Sequence, residues 1–141
     1  MKNITLLLVA LIATISSFPA CGQANIDKGQ NEKDKGIVKV LYFHGKQRCP
    51  TCMAVEEKTT ELLDDAYHKA MQEGKLKFCS IDLSESEGEA IADSYEIAFS
   101  SLIIDRDGEI IDLTDMGFRY ALNDSETFKA KLKVEIDKLL Q

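Results

Sequence analysis

Positive charge is scarce in this chain and nowhere clustered: 17 Lys and Arg stand against 24 Asp and Glu, a formal net charge of −7. Without a basic stripe to neutralise phosphates, nucleic acid is excluded as a partner. Long apolar runs are as rare. The longest, Ile4 to Ile15, covers about 12 residues where a membrane span needs roughly 20, so it is not read as a permanent anchor. There is no internal repeat, and no low-complexity segment outside Gly22 to Lys35. Proline occurs only at Pro19 and Pro50. The chain has 4 cysteines, and no second Cys or His pair stands at ligand spacing. A closed four-ligand metal site would need a dimer or a borrowed ligand.

What is present begins with a leader. Met1-Lys2-Asn3 is a short positive start, Ile4 to Ile15 is apolar, and Ser16 to Ala20 is small and turn-prone, the pattern of a secretory signal over residues 1–20. Phe18-Pro19-Ala20-Cys21 resembles a bacterial lipoprotein box, with Phe18 where the box usually has Leu. That resemblance implies cleavage before Cys21, acylation of its thiol and attachment to a membrane of the bacterial cell envelope. Loss of Lys2 with the leader makes the remainder one charge more acidic. Residues 21–36 are polar, glycine-containing and free of aromatics, a solvated tether. Residues 37–141 are enough for one domain with its own core.

Within that domain Ile37 to Phe43 is apolar and β-branched except at Lys39, the pattern of a strand buried on both faces. Pro50 suits the first position of a helix, where its missing N–H costs nothing. Val55, Thr59, Leu62, Ala66 and Ala70 then mark one buried face of a helix predicted to run to Glu73, capped by Gly74. Leu76 to Ile81 reads as a second strand. Ser84 followed by Glu87 reads as a capping box for a helix reaching Tyr95. Leu102 to Ile104 and Glu109 to Leu113 flank Asp107-Gly108, a hairpin turn, and Phe128, Leu132, Ile136, Leu139 and Leu140 line a closing helix capped within 123–125. The order is βαβαββα: an α/β fold, a central mixed sheet of about four strands flanked by helices.

The chemistry lies in Cys49-Pro50-Thr51-Cys52, a cysteine pair between a strand and a helix in an exported chain. The unpaired N–H groups and positive dipole end of the helix favour a thiolate on Cys49, which is expected to be exposed. Cys52, nearly one turn on and more buried, can attack a mixed disulfide held on Cys49. Lys46 and Arg48 are expected to lower the Cys49 pKa further, if the loop holds them near it. His44, five residues before Cys49, either accepts a thiol proton or packs at the strand end. Pro50 removes a backbone donor beside the thiolate, and Thr51 can offer a hydroxyl. Cys79, within the second strand, reads as a buried, inert thiol, and His68 with Asp64-Asp65 as a solvated helix face.

The element order and the Cys49-Pro50-Thr51-Cys52 motif together resemble the thioredoxin superfamily in its compact form, and the segment Arg48 to Val55 is most similar to small bacterial envelope thioredoxin-like proteins. The resemblance spans residues 37 to 141. It implies that Cys49 attacks and Cys52 resolves, with Asp107-Gly108 before the last strand, Gly117 after it and Tyr95-Glu96-Ile97 leading to the third strand. Two departures stand out. Where the family places a cis-proline against the cysteines, this chain reads Phe99-Ser100-Ser101-Leu102, so Ser101 holds that place. The family's buried acid on the first strand has no counterpart between Ile37 and Arg48.

The function expected is thus an envelope thiol-disulfide oxidoreductase or electron relay with no cofactor, its partner a protein dithiol or disulfide such as a membrane thiol carrier. Two alternatives stay open at this point. With serine in the proline's place, the two thiolates could hold a soft metal or an iron-sulfur fragment. A redox-silent adaptor would use the fold only as a surface.

Overall fold

A computed structural model describes residues 34–141. The leader 1–20, Cys21 and all but the last three residues of the 21–36 tether lie outside the described residues. The elements are β1 Val38–His44, α1 Pro50–Ala66, α2 His68–Gln72, β2 Leu76–Asp82, α3 Ser86–Ser94, β3 Ser101–Arg106, β4 Glu109–Asp112, α4 Thr114–Tyr120 and α5 Ser125–Leu140. Among the described residues no helix is long and apolar enough to cross a membrane.

Every residue of β1 is buried, because it is an interior strand covered on both faces: the sheet order is β2-β1-β3-β4, with β1 parallel to β2 and the other pairs antiparallel. The parallel pair requires a crossover, which α1 and α2 supply. Side chains alternate across the sheet. Val38, Val40 and Tyr42 face a core shared with Val55 and Leu63 of α1 and Phe128, Leu132 and Ile136 of α5. Leu41, Phe43 and Ile103 face Ala92 and Tyr95 on the other side. The α/β class and the four-stranded mixed sheet flanked by helices agree with the expectation from sequence.

Three local expectations are corrected. The helix predicted to run to Glu73 breaks at Tyr67, whose φ of −125° and ψ of 11° are not helical. Tyr67 is buried, and its hydroxyl donates to Asp137 Oδ1 at 2.6 Å, so tying this ring to α5 interrupts the helix, and Ala66 is left exposed. The Ser84–Glu87 capping box does not form. Ser84 donates both its N–H and its hydroxyl to Asp82 Oδ1, and α3 starts one residue later than a Ser84 cap requires, behind Glu85, which makes no side-chain cap bond. An unforeseen helix, α4, follows β4. It begins where Asp112 Oδ1 accepts the Thr114 N–H at 2.9 Å, and Gly117, matched by resemblance to the glycine after the last strand, lies buried within it.

The turn between β3 and β4 depends on left-handed backbone. Asp107 and Gly108 have φ of 55° and 89°, the pairing a two-residue hairpin turn demands. Asp105 then closes the turn from within: fully buried, it accepts from the Tyr95 hydroxyl at 2.6 Å and the Gly108 N–H at 2.9 Å, with Lys39 Nζ at 3.9 Å. Lys39 and Asp105 face each other in register across β1 and β3, so the one charge in the first strand is compensated where it is buried.

At the described end of the 21–36 segment, Asp34 accepts from Lys77 Nζ at 2.7 Å, and the Gly36 N–H donates to Asp107 Oδ1 at 2.8 Å, so the chain is bonded to the domain at these two residues. Cys79 packs with Leu41, Phe43 and Ile81, as expected.

Candidate functional site

β1 ends at His44, and the loop from Gly45 to Cys49 carries the chain from the edge of the core to the start of α1. Cys49 is the N-cap, with extended φ of −81° and ψ of 161°, and Pro50 and Thr51 open the first turn. Capping by a sulfur replaces the usual oxygen: Cys49 Sγ accepts the Cys52 N–H at 3.1 Å. One of the orphan donors of the helix start is thereby aimed at the atom that would carry charge in the reduced state. Cys49 and Cys52 are joined by a disulfide, with Cα atoms 5.0 Å apart. Cys49 is exposed, whereas Cys52 is only 8% exposed.

The helix start is fixed from below by Tyr42, whose buried hydroxyl donates to the Cys52 carbonyl at 2.9 Å. Burial pushes the Tyr42 hydroxyl pKa up, partly offset by the charge of Arg48. His44 is nearly buried, its ring 5.9 Å from that of Tyr42 and its Nδ1 3.1 Å from the Gly45 carbonyl oxygen. It sits among packing partners at the strand end, on the same sheet face as Tyr42.

Arg48 is placed differently from the sequence expectation. Its guanidinium does not remain an uncompensated charge beside Cys49; it bonds Glu56 Oε2 and lies 5.9 Å from the centre of the Tyr42 ring. Lys46 is exposed on the loop, Pro50 is exposed and Thr51 half-buried. Glu56 is the residue that reading the sequence missed. A helical spacing of four from Cys52 and the basic residue at position 48 were the available signals. Partial burial would raise its carboxyl pKa, but hydrogen bonds from Ser80 and Arg48 and the charges of Arg48 and His44 outweigh this and hold it below the ordinary glutamate value.

Ser101 opens β3 in register with Phe43, so it lies at the end of the sheet from which the cysteine loop departs. It is buried, and its hydroxyl donates to the Phe99 carbonyl at 2.9 Å, while the Phe99 ring is 70% exposed. No described peptide bond is cis. Among the described residues, no group of three or more His, Cys, Asp or Glu is placed to hold a metal ion.

No family model matches the chain, and no curated protein does. Among solved structures it is similar to one described as a malarial protein, with a TM-score of 0.46 and 17% identity over 69% of this chain and 94% of that one. It is also similar to Trxlp from Edwardsiella tarda EIB202, with a TM-score of 0.42 and 18% identity over 54% of this chain and 67% of that one. Fasciola hepatica thioredoxin gives a TM-score of 0.42 and 20% identity over 62% of this chain and 79% of that one. At such identities these likenesses fix no activity, and the assignment of an α/β fold rests on the sheet order and helix placement of the chain itself.

Proposed function

We propose that the chain is a thiol-disulfide oxidoreductase or electron relay working through Cys49 and Cys52. The observation that carries the reading is their asymmetry: joined as a disulfide, one sulfur is exposed at a helix N-terminus and the other is buried behind it. In the reduced state a Cys49 thiolate attacks a sulfur of the partner's disulfide, forming a Cys49–partner bond and releasing one partner thiolate, which takes up a proton. Cys52, losing its proton, then attacks Cys49 Sγ, restores the Cys49–Cys52 bond and releases the second partner thiolate. Two electrons pass to the partner, whose disulfide becomes a dithiol; the reverse sequence oxidises a partner dithiol. No cofactor enters either direction. The N-terminal pattern of residues 1–21 supports export and a lipid anchor on Cys21 in the cell envelope, where disulfides persist. A protein dithiol or disulfide there, such as a membrane thiol carrier, is the partner this reading requires.

Trapping tests it. In the envelope, Cys52→Ser leaves the mixed disulfide on Cys49 without its resolving thiol, so a covalent partner should accumulate that Cys49→Ser does not capture. If Cys52→Ser captures nothing and the double Cys49→Ser/Cys52→Ser variant behaves as wild type in the cell, the cysteines are dispensable and the adaptor reading replaces this one.

A further inference from the structure

The residue next to the exposed sulfur carries a positive charge that is not free. Arg48 and Glu56 are bonded to each other with side chains 25% and 30% exposed, enough cover to keep their pairing from being fully screened. The guanidinium rests against the Tyr42 ring, and its Nε is buried with no hydrogen-bond partner, so Glu56 supplies its charge compensation. Glu56 lies four residues after Cys52, on the same face of α1. The remaining groups that face this pair are His44 and Asp82 at the ends of β1 and β2, together with Ser80.

Resting on the dithiol reading, we propose that Glu56 is a positioning residue that sets the acidity of Cys49 by holding and neutralising Arg48. With Glu56 in place the two side chains act on the cysteines as a nearly neutral unit. Without it, the guanidinium of the residue that precedes Cys49 is a positive charge no longer balanced by Glu56, and a positive charge stabilises a thiolate. The pair thereby keeps Cys49 from becoming as acidic as the helix start and a basic neighbour would otherwise make it. Because Arg48 is tied to the α1 helix through Glu56, the setting belongs to the folded domain and not to the local sequence.

The test uses fully reduced full-length protein and the rate at which iodoacetamide labels Cys49, resolved from Cys52 by fragment ions of their shared peptide and from the other cysteines by peptide mass, as a function of pH. Three variants are compared with wild type: Glu56→Gln, Arg48→Met and the double Arg48→Met/Glu56→Gln. On the acidic side of the profile Glu56→Gln should label roughly three- to tenfold faster and Arg48→Met slower by about the same factor, because each leaves one uncompensated charge. The double variant should return to near the wild-type rate, the non-additivity that marks a pair acting as one unit. If all three variants shift the rate in one direction, or none shifts it, the proposal fails. Should Glu56→Gln not fold, as judged by circular dichroism, Arg48→Met and the double variant still decide it: equal rates for the two overturn it. Labelling needs no partner protein, so this outcome is independent of whether a partner is trapped on Cys49.

Discussion

Gly88 offers a prediction whose sign general rules would get wrong. It lies in α3, where replacing glycine by alanine ordinarily stabilises a helix by about 1 kcal/mol. Here α3 crosses close to the end of β2: a Cβ on residue 88 would stand 2.0 Å from the Asp82 carbonyl oxygen, 2.8 Å from its carbon and 3.2 Å from Ile81 Cγ2. Carbon and carbonyl oxygen approach comfortably at about 3.3 Å, so α3 must retreat by more than an ångström or β2 must bend. Neither yields easily, because Asp82 is backbone-paired to His44 in the sheet, and α3 carries Ala92 and ends at Tyr95, which both fill the core on that face. Overpacking of this kind costs about 1–3 kcal/mol, and with a backbone atom as the obstacle the upper end applies, so the net destabilisation is about 2 kcal/mol after the propensity gain. In a domain of roughly 100 residues that lowers Tm by about 10 °C. Thermal melts followed by circular dichroism measure it, with Gly45→Ala as control, since nothing lies within 4 Å of a Cβ at that position. A Gly88→Ala protein that melts at or above wild type would refute the close approach of α3 to β2.

Two further predictions concern the site and its surroundings. Tyr42→Phe removes the buried hydrogen bond to the Cys52 carbonyl and should lower stability by about 1 kcal/mol; chemical denaturation checks this, and an unchanged midpoint would mean that the hydroxyl does not secure the helix start. Stability should also fall on acidification. The Ser84 hydroxyl and N–H hold Asp82 low, the Lys133 ammonium and the Tyr67 hydroxyl hold Asp137 low, and the contacts of Glu56 outweigh its partial burial. Carboxylates with depressed folded pKa values contribute stability that is complete above the unfolded value, about 4, and is lost as pH falls through the folded values. The melting temperature should therefore be level from neutral pH to about 5 and decline below about 4; a rise on acidification would contradict the sign.

The parts of the fold that were legible in the sequence are those written in short-range pattern. β1 announces itself by a nearly unbroken apolar run, Asp107-Gly108 by its turn chemistry, and α5 by its apolar spacing with Asp124, whose side chain accepts the Thr127 N–H, inside the capping window. Cys49 and Cys52 were legible for the same reason, since the strand before them and Pro50 between them set the start of a helix. What was not legible depends on partners far along the chain. Tyr67 breaks its helix because Asp137 is there to bind it, 70 residues later. Ser84 leaves its capping box because Asp82 competes for its donors. Arg48 pairs with Glu56 over the ring of Tyr42, a choice governed by the curl of α1, which no local window contains.

The contacts of Asp34 and Gly36 and the cysteine loop lie at opposite ends of β1. Asp34 is held by Lys77 and Lys39 at the beginnings of β2 and β1, whereas the cysteine loop leaves β1 at its other end. The seven residues of β1 at about 3.3 Å each make a rigid standoff of roughly 20 Å between the two. Residues 34–36 therefore meet the domain at one end of β1, and the exposed Cys49 lies past the other end.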